Sequence, residues 1–327
     1  MSIKKTVKPG IYAGIPNADY HSGEGISKSG LDIVRRSPLH YKASKEAEQK
    51  ESTPDQRIGT MAHDLILEPD TFWDRYSRPF IAPESALVTM DDIKVRLKDL
   101  GEKVSGKKDE LIERLRTVDS QAVFLDDLKA AYLAENEGKE IITEEEFARV
   151  ESMRDSVMSH PVAGKLLDGN LGIAEMSCYW NDPKTGVLCR VRPDFWRDDD
   201  IIVDLKTARD ASPEGFPKAV QEWRYNVQEA FYTDGIAAAI KQGNVARKTP
   251  KAFVFVVVEK VLPFAVSVYR LDSESVDIGR REYREDLDAF AACEASGIWT
   301  GYGEKIQMSG LPKWRLRQEN FAEGEAA

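Results

Sequence analysis

The sequence predicts an α/β fold built on a mixed five-stranded sheet flanked by helices, and three observations predict it. Hydrophobic patterning is helical through the first half of the chain and turns strand-like from residue 173 onward. From there the order is three strands, a helix, two strands and a closing helix, an arrangement that mixes parallel and antiparallel neighbours. At 327 residues, 42% hydrophobic and 31% charged, the chain can bury a sizeable core.

Taken in order, residues 1–50 read as ordered but irregular, with one helix signal. Ser27 precedes helix-spaced Leu31 and Val34, and Ser37-Pro38 ends the pattern. A polar stretch over 45–56 leads to Ile58, Met61, Ala62, Leu65 and Ile66, one apolar face of a helix that Pro69 closes. Residues 70–88 read as loop, with Pro79 and Pro83 as punctuation and Phe72 and Trp73 as anchors. Over 88–116 two short amphipathic helices flank a turn at Gly101, with Thr89 as N-cap. Helices follow over 121–134 and 143–158. Strands are expected over 173–180, 187–194 and 201–206, then a helix over 225–241, strands over 252–259 and 265–270, and a helix over 273–295. The tail over 319–327 reads as frayed.

The composition excludes some classes. No apolar run approaches membrane-spanning length, and the first ten residues carry no signal-peptide core. Cys178, Cys189 and Cys293 are too few and too scattered for a disulfide framework, so a reducing cytoplasm is expected. A net charge of −10 argues against wholesale coating of nucleic acid but permits a local basic groove around gathered carboxylates.

The chemistry concentrates in Pro193-Asp194 and Asp204-Leu205-Lys206. Both carboxylates fall near predicted strand ends, with a hairpin-like turn over 197–200 between them, so the two strands read as antiparallel neighbours. Asp204 and Lys206, two apart on a strand, share a face. Oxygen donors of this kind suit Mg²⁺, with Mn²⁺ as a substitute. The ion would polarise a phosphodiester and activate water, and Lys206 would orient that water or offset developing charge. The same residues also fit a turn plus a strand-end ion pair, and alone they leave both readings open. Gln228 and Tyr232, four apart on the next helix, share a face and could reach a phosphate or hold Lys206. Of the four histidines only His63 lies beside a predicted apolar helical face, where imidazole could complete a His-Asp-Asp site.

Read together, Gly59-Thr60-x-x-His63, Pro193-Asp194, Asp204-x-Lys206 and Gln228-x-x-x-Tyr232 resemble the PD-(D/E)xK nuclease superfamily, and more narrowly the phage exonuclease VIII (RecE-like) group. Tyr20-His21-Ser22, Ile26-Ser-Lys-Ser29-x-Leu31 and Ser37-Pro-Leu-His-Tyr41 carry the narrower likeness, which covers about residues 8–80 and 170–295. The resemblance implies a restriction-endonuclease-like core and a 5′-to-3′ double-stranded DNA exonuclease that resects ends for recombination. It implies His63, Asp194, Asp204 and the Leu205 carbonyl as metal ligands, Lys206 as catalytic, and Gln228 and Tyr232 as the helix motif. Glu175, early in the first strand, is a further acidic candidate. A RecT-type single-strand annealing protein is the expected partner, with a homo-oligomeric ring as the expected assembly. Many superfamily members carry Glu where Asp204 stands, and the shorter Asp shifts the metal geometry slightly.

Residues 88–118 are similar to a SAP-like helix-extended-loop-helix DNA-binding unit inserted between residues 1–87 and a nuclease core over 119–310, with 311–327 as a tail. Ile93, Leu97 and Leu100 are expected to pack against Leu111, Ile112 and Leu115, and Lys107 and Lys108 are placed to contact phosphates. With eight Lys/Arg against seven Asp/Glu over 88–116, the unit is more basic than the chain as a whole but is no basic patch, so a purely structural hairpin stays open. Two other functions also stay open: an endonuclease or end-trimming nuclease on the same core, and a catalytically silent DNA-binding protein.

Overall fold

The structure, a computed structural model, describes residues 7–47 and 52–312. Its centre is a five-stranded mixed sheet. In spatial order the strands are Val266–Tyr269, Ala252–Glu259, Ile201–Ala208, Phe195–Arg197 and Gly172–Ala174. Ile201–Ala208 and Ala252–Glu259 run parallel, and every other pair is antiparallel. The parallel pair is joined through the helix Tyr225–Gly243, the crossover that a parallel connection requires. Ala252–Glu259 is a Val/Phe run buried on both faces, as expected for a central strand with helices on each side.

Alternation along Ile201–Ala208 divides the core. Val203 and Leu205 pack with helices Pro54–Leu67 and Glu144–Ser159, whereas Ile202 packs with Tyr225–Gly243 and Ser273–Ser296 on the other face. The first two helices begin with matching capping boxes, Thr53 with Gln56 and Thr143 with Glu146. Ser273–Ser296 starts on an Asp272 cap and stops at left-handed Gly297. A second sheet of three antiparallel strands, Gly10–Tyr12, Ser177–Asn181 and Leu188–Val191, lies against Tyr225–Gly243.

Several elements differ from the sequence reading. The strand expected over 173–180 is two strands in different sheets, broken at Glu175, whose φ of 54° is left-handed. The strand over 187–194 stops at Val191, and Asp194 instead introduces Phe195–Arg197, a strand formed partly from residues read as turn. Residues before 50 hold a strand and the helices Asn17–Ser22, Lys28–Arg36 and Pro38–Glu46, which carry His21 and His40. A helix, Phe216–Trp223, precedes the one expected from 225. In the insertion, Ile93, Leu97, Leu111, Leu115 and Phe124 form their own small core. Leu100 is not in it: it caps its helix and is 42% exposed, and Phe124 and Leu87 cover the helix pair instead. Lys108 opens the second helix and pairs with Asp126 at 3.2 Å. The tail expected to fray lies outside the described residues.

Candidate active site

A cleft of about 1390 Å³ opens at the ends of Phe195–Arg197 and Ile201–Ala208, and His63, Glu175, Asp194, Lys206, Gln228 and Tyr232 line it. Asp204 sits behind them, fully buried. Because Phe195 pairs with Val203, the strand Phe195–Arg197 begins too late to reach Leu205. The Leu205 N–H therefore donates to Asp194 Oδ2 at 2.7 Å instead of to a neighbouring strand. The Leu205 main chain also lies beside the His63 ring and favours its protonated form. His63 comes from the helix on the opposite face to Tyr225–Gly243, and its Nδ1 stands 3.8 Å from Asp194 Oδ2. That approach depends on Gly59, one turn earlier, where a Cβ would meet Thr207 Oγ1 at 3.0 Å.

Asp204 is held from both sides. Gln228 Nε2 donates to its Oδ1, while the Lys206 ammonium stands 2.5 Å from Oδ2. Gln228 thus orients the carboxylate rather than the lysine. Sequence reasoning missed Tyr225, whose ring lies 5.0 Å from Lys206 Nζ and supports the ammonium through its π face. It is visible only once the helix register is known, because it stands three residues before Gln228 on the same helix.

The electrostatics are those of a site short of positive charge. Burial first, and then the Asp194 charge, raise Asp204 to about 6 against the pull of Lys206. Asp194 is raised by burial as well. Glu175 is pushed up to about 8 by burial and then by Asp194, with Arg192 at 3.8 Å as partial compensation. Its left-handed backbone costs about 1–3 kcal/mol, strain of a kind that clusters at functional sites. Burial alone would lower Lys206, but the Asp204 and Asp194 carboxylates outweigh it, so the amine stays protonated at neutral pH. His63 is lowered to about 4 by burial and then by Lys206, which leaves a neutral imidazole.

Those properties bear on a divalent cation. Among the described residues no three His, Cys, Asp or Glu side chains stand in an assembled metal cage. Mg²⁺ does not require one, since it binds through one or two carboxylates with water and substrate oxygens. Asp194, Asp204 and the Leu205 carbonyl are oxygen donors, His63 is a neutral nitrogen donor, and buried Asp204 Oδ2 has the Lys206 ammonium against it. The donor set fits. Arginines elsewhere in the cleft are already engaged: Arg192 holds Ser177 and the Ile15 carbonyl, and Arg190 caps Asn17–Ser22 through the Gly23 and His21 carbonyls.

The model of one protein family, described as a PDDEXK-like domain of unknown function, matches residues 27–311. The chain belongs to that family. Its mixed sheet with flanking helices is consistent with a PDDEXK nuclease-like core. Among solved structures, one described as a "putative exonuclease" from Eubacterium rectale is similar at 11% identity and a TM-score of 0.47, covering 93% of this chain and 98% of that one. A structure of SSO0001 is similar at 11% identity and a TM-score of 0.25, covering 72% and 86%. No curated protein matches.

Proposed function

We propose that this protein is a Mg²⁺-dependent 5′-to-3′ double-stranded DNA exonuclease that resects ends for phage-type recombination. The observation that carries the reading is the gathering of Asp194, Asp204, Lys206 and the Leu205 main chain at two adjacent strand ends, with His63 against them. The likeness of Gly59-Thr60-x-x-His63 and Gln228-x-x-x-Tyr232 to the exonuclease VIII group supplies the direction, the ring assembly and the RecT-type partner.

A bound Mg²⁺ ion, or Mn²⁺ in its place, would supply Lewis acidity at the phosphate and a more acidic attacking water. Asp194 and Asp204 would hold it, with the Leu205 carbonyl and His63. The chain itself does the rest. Gln228 fixes Asp204, and Leu205 N–H fixes Asp194, so both carboxylates are aimed before substrate arrives. Protonated Lys206 serves as a fixed cation beside the reacting phosphate rather than as a base. Tyr232, one turn beyond Gln228, presents a hydroxyl whose proton burial holds firmly. Glu175, neutral near pH 7, accepts a proton only after a bound cation draws it to the charged form. The SAP-like insertion is assigned to DNA contact through Lys107 and the start of its second helix.

The test uses linear duplexes blocked at either the 5′ or the 3′ ends, beside closed circles, in Mg²⁺. Digestion should stop with 5′ blocks, persist with 3′ blocks and spare circles. Acid-soluble release from circles at the linear rate would contradict the exonuclease reading.

A further inference from the structure

One wall of the cleft has no role in the chemistry above. Gly215, Lys218, Ala219, Glu222 and Trp223 all line it, and spacings of three, four, seven and eight make one continuous face of the helix Phe216–Trp223. The helix is anchored at its first residue, where buried Phe216 stacks on Tyr269 with centroids 4.2 Å apart. Trp223 remains 57% exposed.

The backbone beneath that indole is clamped. Lys28 Nζ donates to the Trp223 carbonyl at 2.5 Å. The next residue, Arg224, is left-handed at φ 53° and is fixed by Asp32, Glu282 and Asp286 at 2.9, 3.2 and 2.7 Å. An exposed aromatic on a frayed helix end would be ordinary surface. Here a large π surface is presented into a cleft from a backbone tied down on both sides.

Charge identifies the occupant. Lys218 makes no ion pair among the described residues, and Glu222 shares its face, so the wall is close to neutral. Such a wall grips a strand by its bases more than by its phosphates, with one ammonium left for a phosphate. We propose that Trp223 stacks on an unpaired base of a nucleic-acid strand lying in the cleft, while Lys218 takes an adjoining phosphate. This rests on the nuclease reading. It deepens that reading by making a frayed or single-stranded stretch beside the scissile bond part of the substrate, without preference for base identity, because every base has a π face.

The experiment measures Mg²⁺-dependent digestion of a duplex carrying a short single-stranded tail, with the tail either normal or abasic, by wild type, Trp223→Ala, Trp223→Phe and Lys218→Ala. For wild type, removing the bases should raise KM on the order of 5- to 150-fold, the range that stacking supplies. Trp223→Ala should show that raised KM on the normal tail and no further change on the abasic one, with kcat retained. Trp223→Phe should recover most of the loss. Lys218→Ala should weaken both substrates alike and reduce the salt slope by about 0.7. If wild type digests but Trp223→Ala still distinguishes normal from abasic tails as wild type does, the stacking proposal is overturned and the nuclease reading stands. If wild type digests neither substrate with Mg²⁺ or Mn²⁺, both fall together.

Discussion

At the scale of single residues, the site turns on how a carboxylate can be kept inside the protein. Asp204 is fully buried beside another acid, and only Lys206 and Gln228 offset it. Gln228→Ala removes the one hydrogen bond to Oδ1 among the described residues. The orphaned oxygen should cost about 1–3 kcal/mol of stability. Loss of the partner that aims a metal-binding carboxylate should cost about 10- to 100-fold in activity or metal affinity. A Mg²⁺ titration of the digestion rate, run beside a thermal melt, checks both effects. The pairing of Asp204 with Lys206 was legible in the sequence because strand side chains alternate, so residues two apart share a face. The role of Gln228 was not legible: helix spacing places it with Tyr232 but cannot tell which strand residue it meets. The surroundings of Glu175 were not legible for a related reason, because the left-handed break at this residue, which places it near Asp194, has no marker in the sequence.

At the scale of elements, three helix starts that escaped the sequence reading share a signature. Pro38–Glu46, the first turn of Pro54–Leu67 and Phe216–Trp223 all carry proline at the first or second position. Proline there is favourable, because its missing N–H has no helical partner in the first turn. Read as a breaker, it hides a start. Ser37 shows the ambiguity most clearly, closing one helix and capping the next through His40 N–H. The strand break after Ala174 had no such marker, since the change of sheet is a tertiary event, whereas the break after Val191 contains Pro193. Close packing of the two long helices gives an element-scale prediction. A Cβ at Gly279 would stand 2.2 Å from the Asn226 carbonyl oxygen, a main-chain atom that cannot rotate away. Gly279→Ala should therefore destabilise by about 1–3 kcal/mol, despite alanine's better helix propensity, as a chemical denaturation midpoint would show.

At the scale of the whole molecule, the charge of −10 is not spread evenly as solvated surface. Part of the acidic complement is held in ion pairs that tie the smaller sheet and neighbouring helices to the closing helix. Asp182, in the turn between two strands of the smaller sheet, accepts from both Arg284 terminal nitrogens and from the Thr185 N–H and hydroxyl. Burial alone would raise its pKa, but Arg284 and Thr185 together hold it below the ordinary carboxylate value. Its contribution is thus complete above the unfolded pKa of about 3.9 and is lost as pH falls through the lower folded value. Asp182→Ala should cost on the order of 3 kcal/mol at pH 7. The stability gap to wild type should close on acidification below about pH 4, which melts across a pH series measure directly.

The central claim is that Asp194, Asp204 and Lys206 form a phosphodiester-cleaving metal site. The measurement that addresses it most directly is digestion of end-labelled linear duplex DNA by wild type and Asp204→Ala, each with Mg²⁺ and with EDTA, alongside DNA binding by both proteins. Wild type should digest only with Mg²⁺, and Asp204→Ala should bind DNA without digesting it. Undiminished digestion by Asp204→Ala, or wild-type digestion that persists in EDTA, would contradict the account.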